Sequence, residues 1–360
     1  MTTSAPMTTS ALMTNPAPMT TPPACTGRVV ITGGAGFVGR AAVAAFARRG
    51  NPVTVVDRSA YPDPEVRSVV GELTDPGVVA DAMAGGDVAG VVHLAAMTSV
   101  LRSVEHPVAT YQANVAVTQD LLEGCRRAGV GRFLMASTNA VVGDVGHAIV
   151  DEAAPLRPLT PYGATKAAGE MLLSGYAGAY GMATCALRFT NIYGPGMGHK
   201  DSFVPRMMRA ALAGRGVQIY GDGLQRRDLV HVDDVVAAVL AAWDRRFTGT
   251  AIIGSGRSVT VLELLDAVRT VTGCAVPAEH VAAKPGEMPA VIVDISRARE
   301  HLGYRPSVSL VDGLATVWQD FATAGSPLNG TVELNGTVEL NPTVDGAPVT
   351  PGVGGPGRCW

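Results

Sequence analysis

Through the first half of the chain, short unbroken apolar runs alternate with longer amphipathic stretches. Arg28–Thr32 (RVVIT), Val53–Asp57 (VTVVD), Ser68–Gly71, Val91–Leu94 and Arg132–Ala136 have the length and β-branched content of strands. They lack polar alternation, which suits strands covered on both faces of a parallel sheet. Between them, Gly36–Arg49, Pro76–Ala84 and Pro107–Ala128 repeat apolar residues at helical spacing, the last opening at a proline and closing before Gly129. Thr160–Tyr180 predicts another long helix, and Thr184–Phe189 a strand after it. Such alternation predicts an α/β fold of the Rossmann type, a doubly wound parallel sheet. After residue 190 the texture changes to Gly/Pro-rich loops (YGPGMGHKDSFVP, YGDGLQRRD), with shorter helices predicted at 204–213, 234–243, 260–272 and 310–323. A larger domain over 27–189 is therefore expected, with part of 228–253 returning to it, and a smaller α/β domain mainly over 190–325.

The two ends break this texture. Residues 1–26 run in six-residue steps (MTTSAP, MTTSAL, MTNPAP, MTTPPA), and residues 328–345 do the same (LNGTVE, LNGTVE, LNPTVD) before a Pro/Gly-rich end. Neither stretch holds enough apolar side chains for a core, so 1–26 and 326–360 are expected to be disordered tails. Charge is nearly balanced, with 28 Lys and Arg against 31 Asp and Glu, a formal net charge of −3, and no block of like charges. That speaks against a nucleic-acid or lipid-headgroup surface. The five cysteines (Cys25, Cys125, Cys185, Cys274, Cys359) show no CxxC and no ligand-like pairing with His. Neither disulfides nor a metal site is expected, and a reducing cytoplasm fits. The first 26 residues lack a basic start and an unbroken apolar run, and no apolar stretch reaches the roughly 18 residues that span a bilayer. The expectation is a cytoplasmic protein without a membrane partner.

Candidate chemistry begins at Thr32-Gly33-Gly34-Ala35-Gly36-Phe37-Val38-Gly39, the turn from the first predicted strand to the first predicted helix. Glycines there let the backbone approach a pyrophosphate, whose charge the helix N-terminus stabilises. The second strand ends in Asp57, 18 residues after Gly39, where a carboxylate can accept from both ribose hydroxyls. Asp57 would repel a 2′-phosphate, so the combination predicts NAD rather than NADP, with Arg58 beside it the feature that pulls the other way. A second pattern is Tyr162 and Lys166, at i and i+4 on one helix face, with Thr138 just after the fifth strand. An ammonium beside a phenol favours the phenolate, so a tyrosine that ordinarily titrates near 10 is expected to act as a base nearer neutrality. Thr138 can hydrogen-bond the same substrate oxygen. His93 and His231 lie in apolar strands and read as structural.

The motifs form one ordered series: TGGAGFVG at 32–39, Asp57, GELTD at 71–75, VVHLAA at 91–96, Asn114, AST at 136–138, YGATK at 162–166, LRFTNIYGP at 187–195 and RRDLVHVDD at 226–234. Residues 27–325 thereby resemble an extended short-chain dehydrogenase/reductase of the nucleotide-sugar epimerase/dehydratase family, in the manner of a UDP-hexose 4-epimerase. The resemblance implies an NAD-binding Rossmann domain, a catalytic Thr138–Tyr162–Lys166 centre, and a nucleotide-sugar substrate in the smaller domain. By position, Gly33, Gly36, Phe37, Val38 and Gly39 would hold the cofactor's diphosphate, Asp57 and Arg58 its adenosine ribose, and Glu72 and Leu73 would flank the adenine. Leu94, Ala95, Ala96, Asn114 and Ala136 would line the path to the nicotinamide. Lys166 would hold the nicotinamide ribose beside Tyr162, with Phe189 near the ring. For the substrate the resemblance implies Thr98, Thr138, Asn191, Val204, Tyr220 and Arg227, together with Lys284 and Glu287 of a KPGE segment. Arg227 would clamp the diphosphate, because a guanidinium fork matches phosphate oxygens. Family members pair the helices matching 107–128 and 160–180 across a two-fold axis, which implies a homodimer.

Departures from the family pattern bear on the reaction. Glu72 stands where Asp is usual, Val142 where Tyr is common, Val117 where Gly is common, and Lys284 where Arg is common. The family's 4,6-dehydratases place an Asp-Glu pair directly after the catalytic Thr, and its decarboxylases usually keep the Glu. Here those positions are Asn139 and Ala140, neither able to move a proton. The expectation is a 4-epimerase of a UDP- or dTDP-hexose or hexuronic acid. A nucleotide-sugar 4-ketoreductase is the alternative among enzymes, and a non-catalytic dinucleotide-binding scaffold the alternative of another class.

Overall fold

The computed structural model describes residues 27–283, 288–324 and 338–339. Through the first half the elements are β1 (Arg28–Thr32), α1 (Phe37–Arg48), β2 (Val53–Asp57), β3 (Arg67–Val70), α2 (Pro76–Met83), β4 (Val88–His93), α3 (Val100–Glu105), α4 (Pro107–Tyr111), α5 (Val117–Arg127) and β5 (Arg132–Thr138). Then come β6 (Ile149–Val150), α6 (Pro161–Tyr180), β7 (Ala183–Phe189), β8 (Asn191–Tyr193), α7 (Phe203–Leu212), β9 (Val217–Tyr220), β10 (Arg226–His231), α8 (Val232–Asp244) and β11 (Gly249–Ile253). The remainder is β12 (Ser258–Thr260), α9 (Val261–Thr272), β13 (Ala278–Val281), β14 (Ile292–Val293), α10 (Ser296–Leu302), α11 (Leu310–Ala324) and β15 (Val338–Glu339).

Seven strands form the main sheet in the order β3-β2-β1-β4-β5-β7-β11, and every neighbouring pair is parallel. Strands without polar alternation need cover on both faces, and they have it. On one face Phe46 of α1 meets Trp243 of α8 edge-on at 5.3 Å. On the other, Val79 of α2, Leu121 and Leu122 of α5 and Leu173 of α6 pack on Phe133 and Val91. A second core joins α7, β9, α9 and α11 through Met207, Met208, Ile219, Leu264 and Phe321. Beside it lie two three-stranded sheets, β12-β10-β8 and β13-β9-β15.

Four differences from the sequence expectation matter. The helix expected over 107–128 is interrupted, because residues 112–116 widen into a π-helical segment that turns Asn114 inward, where it is buried. Such widenings recur at functional sites. Strand β5 runs on to Thr138 and so carries Ser137 and Thr138 on its last two positions, opposite Arg188 and Phe189 of β7. The six-residue α3, capped by Ser99 accepting from Arg102 N, is too short to show a helical period in sequence. Val338–Glu339, inside the stretch expected to be disordered, pairs in parallel with Val217–Gln218 of β9, as a β-branched residue can beside an open edge. The rest of the tails over 1–26 and 326–360 lies outside the described residues.

Candidate active site

The strand ends of the main sheet gather the predicted residues. At the glycine turn, Gly33 has φ +71°, and a Cβ there would lie 2.7 Å from Ala95 N. A Cβ on Gly39 would overlap the Gly33 carbonyl. These two glycines are therefore needed by the turn itself. Gly36 differs: it is exposed and begins α1 with no side-chain cap, so its missing side chain leaves the helix N-terminus open to an anion. Asp57 holds the turn from β2, its Oδ2 accepting from Ala35 N at 3.0 Å and its Oδ1 from Arg58 N at 2.7 Å. A carboxylate has lone pairs left for ribose hydroxyls after both bonds. Past β3, Glu72 is exposed and Leu73 half-buried. The glycine turn, the open helix end and the Asp57 carboxylate fit a dinucleotide.

A buried hydrogen-bond chain ties this cradle to α6. Thr32 Oγ1 lies 2.7 Å from His93 Nδ1, whose Nε2 lies 3.2 Å from Thr118 Oγ1. Thr118 donates to Asn114 O, Asn114 Nδ2 to Thr165 Oγ1, and Thr165 to Tyr162 O. Asn114 also accepts from Met97 N and donates to Met97 O. Its amide thus anchors the Met97 backbone to Thr165 of α6. Burial pushes the His93 imidazole down to about 3, so it stays neutral and structural.

At the far end of the chain, Thr160 caps α6 and Pro161 starts it, which sets Tyr162 on the first turn and Lys166 one turn on. Lys166 Nζ donates to Ala136 O at 2.9 Å. The expectation that Lys166 would draw the phenol towards neutrality is corrected here. Burial pushes Tyr162 up to about 12, and the counteracting influence is a hydrogen bond with Thr138. Burial likewise pushes Lys166 down to about 8, with Glu170 pulling it back. Desolvation disfavours both charged forms and outweighs the pairing. Beneath Lys166, Glu170 accepts from Ser137 Oγ (2.5 Å) and from Arg188 Nη2 (2.8 Å), an ion pair buried on both sides. Glu170 and Arg188, which brace this corner through Ser137, are not singled out by the sequence. Next to Thr138, both polar atoms of the Asn139 amide are buried without a partner among the described residues.

The residues expected to meet substrate are less gathered. Phe189 stands opposite Thr138 and is buried, while Thr98 is exposed in the loop after β4. Asn191 opens β8 and donates to Asp228 O at 3.2 Å. Arg227 is 9% exposed; its Nη1 donates to Arg226 O, and its guanidinium sits 5.8 Å over the Phe203 ring. Tyr220 ends β9 and is buried. Val204 packs its side chain into the second core, so its backbone is the part left to face a ligand. Lys284 and Glu287 lie outside the described residues. No helix among the described residues is long and apolar enough to cross a membrane.

Known proteins agree with this geometry. Residues 29–253 match the NAD dependent epimerase/dehydratase family. The chain is 34% identical over 301 residues to a dTDP-glucose 4,6-dehydratase of Streptomyces niveus, covering 78% of this chain and 89% of that one. It is 31% identical over 296 residues to a UDP-glucose 4-epimerase of Corynebacterium glutamicum, covering 76% and 89%. Among solved structures it resembles the UDP-glucose 4-epimerase of Thermotoga maritima with UDP-glucose, at a TM-score of 0.79 and 31% identity over 82% of this chain and 99% of that chain. It also resembles MoeE5 in complex with UDP-glucuronic acid and NAD, at a TM-score of 0.76 and 34% identity over 83% and 100%. The chain belongs to the NAD-dependent epimerase/dehydratase family.

Proposed function

We propose that the protein is a 4-epimerase of a nucleotide-diphosphate sugar, a UDP- or dTDP-hexose or hexuronic acid. The observation that carries this reading is the turn after β5. Thr138 ends β5, yet the next two residues are Asn139 and Ala140, so no acid/base pair follows for chemistry at C5 or C6. Relatives that bind UDP-glucose and UDP-glucuronic acid support the substrate class. Relatives named dehydratases share the fold and set the competing reaction.

Tyr162 takes the C4 hydroxyl proton while Thr138 holds the same oxygen. Lys166 fixes the nicotinamide ribose and Phe189 backs the ring. The bound dinucleotide supplies reversible hydride exchange at C4 and, when oxidised, a positive charge that favours the phenolate burial disfavours. Arg227 and Asn191 keep the diphosphate while the 4-keto sugar turns its other face. To test this, UDP-glucose, UDP-glucuronic acid and dTDP-glucose are each incubated with the protein and read by NMR. C4 epimers formed without added NADH are expected. Stoichiometric NADH consumption would instead make it a ketoreductase, and binding without conversion a scaffold.

The same reading extends to assembly. Val108 and Tyr111 on α4 and Met171 on α6 are exposed at 68%, 55% and 58%, apolar surface that a second copy would cover. Sedimentation should give a dimer mass; a monomer would contradict it.

A further inference from the structure

A cavity of about 400 Å³ opens beside the glycine turn. Gly36, Phe37 and Arg40 line it from α1, Asp233 from the start of α8, and Gly196 and His199 from the loop after β8. Arg40 is exposed, yet its Nε donates to Ala35 O at 2.8 Å, which ties the guanidinium to the turn. The loop carrying His199 is tied down on both sides. Gly196 N donates to Asp320 of α11 at 2.9 Å, and Arg209 of α7 donates to the carbonyls of Gly198 and Lys200.

Two basic side chains, Arg40 and His199, line this cavity. Burial first, then the positive charges of Lys200 and Arg40, hold His199 below its ordinary range. Nearby carboxylates have other engagements: Asp201 pairs with Arg206 and Arg209, Asp320 takes the Gly196 N–H, and Asp233, on the cavity wall, lies 3.5 Å from His231 Nδ1. Like charges held together without an anion disfavour one another. A diphosphate placed at the open end of α1 relieves that repulsion and accepts charge-assisted hydrogen bonds from the same groups.

We propose that Arg40 and His199 are cofactor-retaining residues that close on the outer oxygens of the dinucleotide diphosphate, with the loop over residues 195–200 as the outer wall of its cleft. Bound anion raises the His199 pKa. A group raised on binding contributes affinity that is complete below its free pKa and is lost as pH rises through its bound value. NAD affinity therefore starts to fall below the ordinary histidine value of about 6.5, where free His199 titrates, and goes on falling until the bound ring has lost its proton.

Equilibrium dialysis of NAD against the cofactor-stripped protein, from pH 5.5 to 8.5, tests this without any sugar substrate, so it can fail while the epimerase reading stands. Arg40→Gln should raise Kd about tenfold at every pH, the worth of one charge-assisted hydrogen bond. His199→Gln should raise Kd about fivefold at low pH and flatten the pH dependence, since protonation gives the ring a positive charge and a second N–H to offer the anion. Neither should change binding of adenosine, which has no diphosphate, or the Tm of the stripped protein. Wild-type Kd and pH profile in both variants would overturn the proposal. So would an equal loss of adenosine binding, which would mean that the cleft as a whole had been deformed.

Discussion

The corner formed by β5 and α6 and the lobe behind α7 and α9 handle charge in opposite ways. In the corner, half-buried Tyr162 and buried Lys166 sit against a polar lattice in which Asn114, Thr165, Ser137, Glu170 and Arg188 each hold a neighbour. In the lobe, Arg227 lies over Phe203 beside the apolar side chains of Leu229 and Leu264. The lattice fixes where a proton goes, and its cost is that burial sets the pKa values. The lobe has few polar fixed points and is shaped mainly by packing. On the proposed function, the hydrogen-bonded corner carries the chemistry and the apolar lobe the substrate contacts.

The largest effect expected is on the lattice's working end. Tyr162→Phe should cut turnover about a thousandfold, the scale of a lost general base, while NAD stays bound; near-normal turnover would break the contrast. Glu170→Gln should cost about 3–4 kcal/mol in urea unfolding, because it leaves Arg188 charged, buried and short of its partner. Lys166 gives the next effect. Its folded pKa of about 8 lies below the ordinary 10.5, so between those values the unfolded chain binds more protons and stability rises with pH. Tyr162, raised from 10.0 to about 12, acts with the opposite sign only above pH 10. A gain of about 2–3 kcal/mol between pH 8 and 10 is expected in the cofactor-free protein, and Lys166→Met should abolish it. Smallest is the lobe: Arg227→Lys should raise KM about tenfold by losing the bidentate fork, with kcat nearly kept. A large fall in kcat instead would mean that the lobe, too, sets the chemistry.

Legibility in the sequence follows the same division. The glycine turn, Asp57, Thr138, Tyr162 and Lys166 lie at strand ends or on the first turns of helices, so local spacing was enough to place them. The π-helical widening at 112–116 was not visible, because it depends on Asn114 reaching Met97 and Thr165 from elsewhere in the chain. The tyrosine's pKa was misjudged for a related reason: spacing reveals a neighbouring ammonium but not the burial contributed by distant elements. Arg40 and His199 come to one cavity through the fold of the loop after β8, which no local spacing shows.

The central claim is that this corner moves an O–H proton at C4 and no C–H proton. Running the reaction in deuterated water with UDP-glucose or UDP-glucuronic acid and following it by NMR tests that directly. The account predicts a C4-inverted product carrying no solvent deuterium on carbon. Deuterium at C5 or C6, or a 4-keto-6-deoxy product, would contradict it.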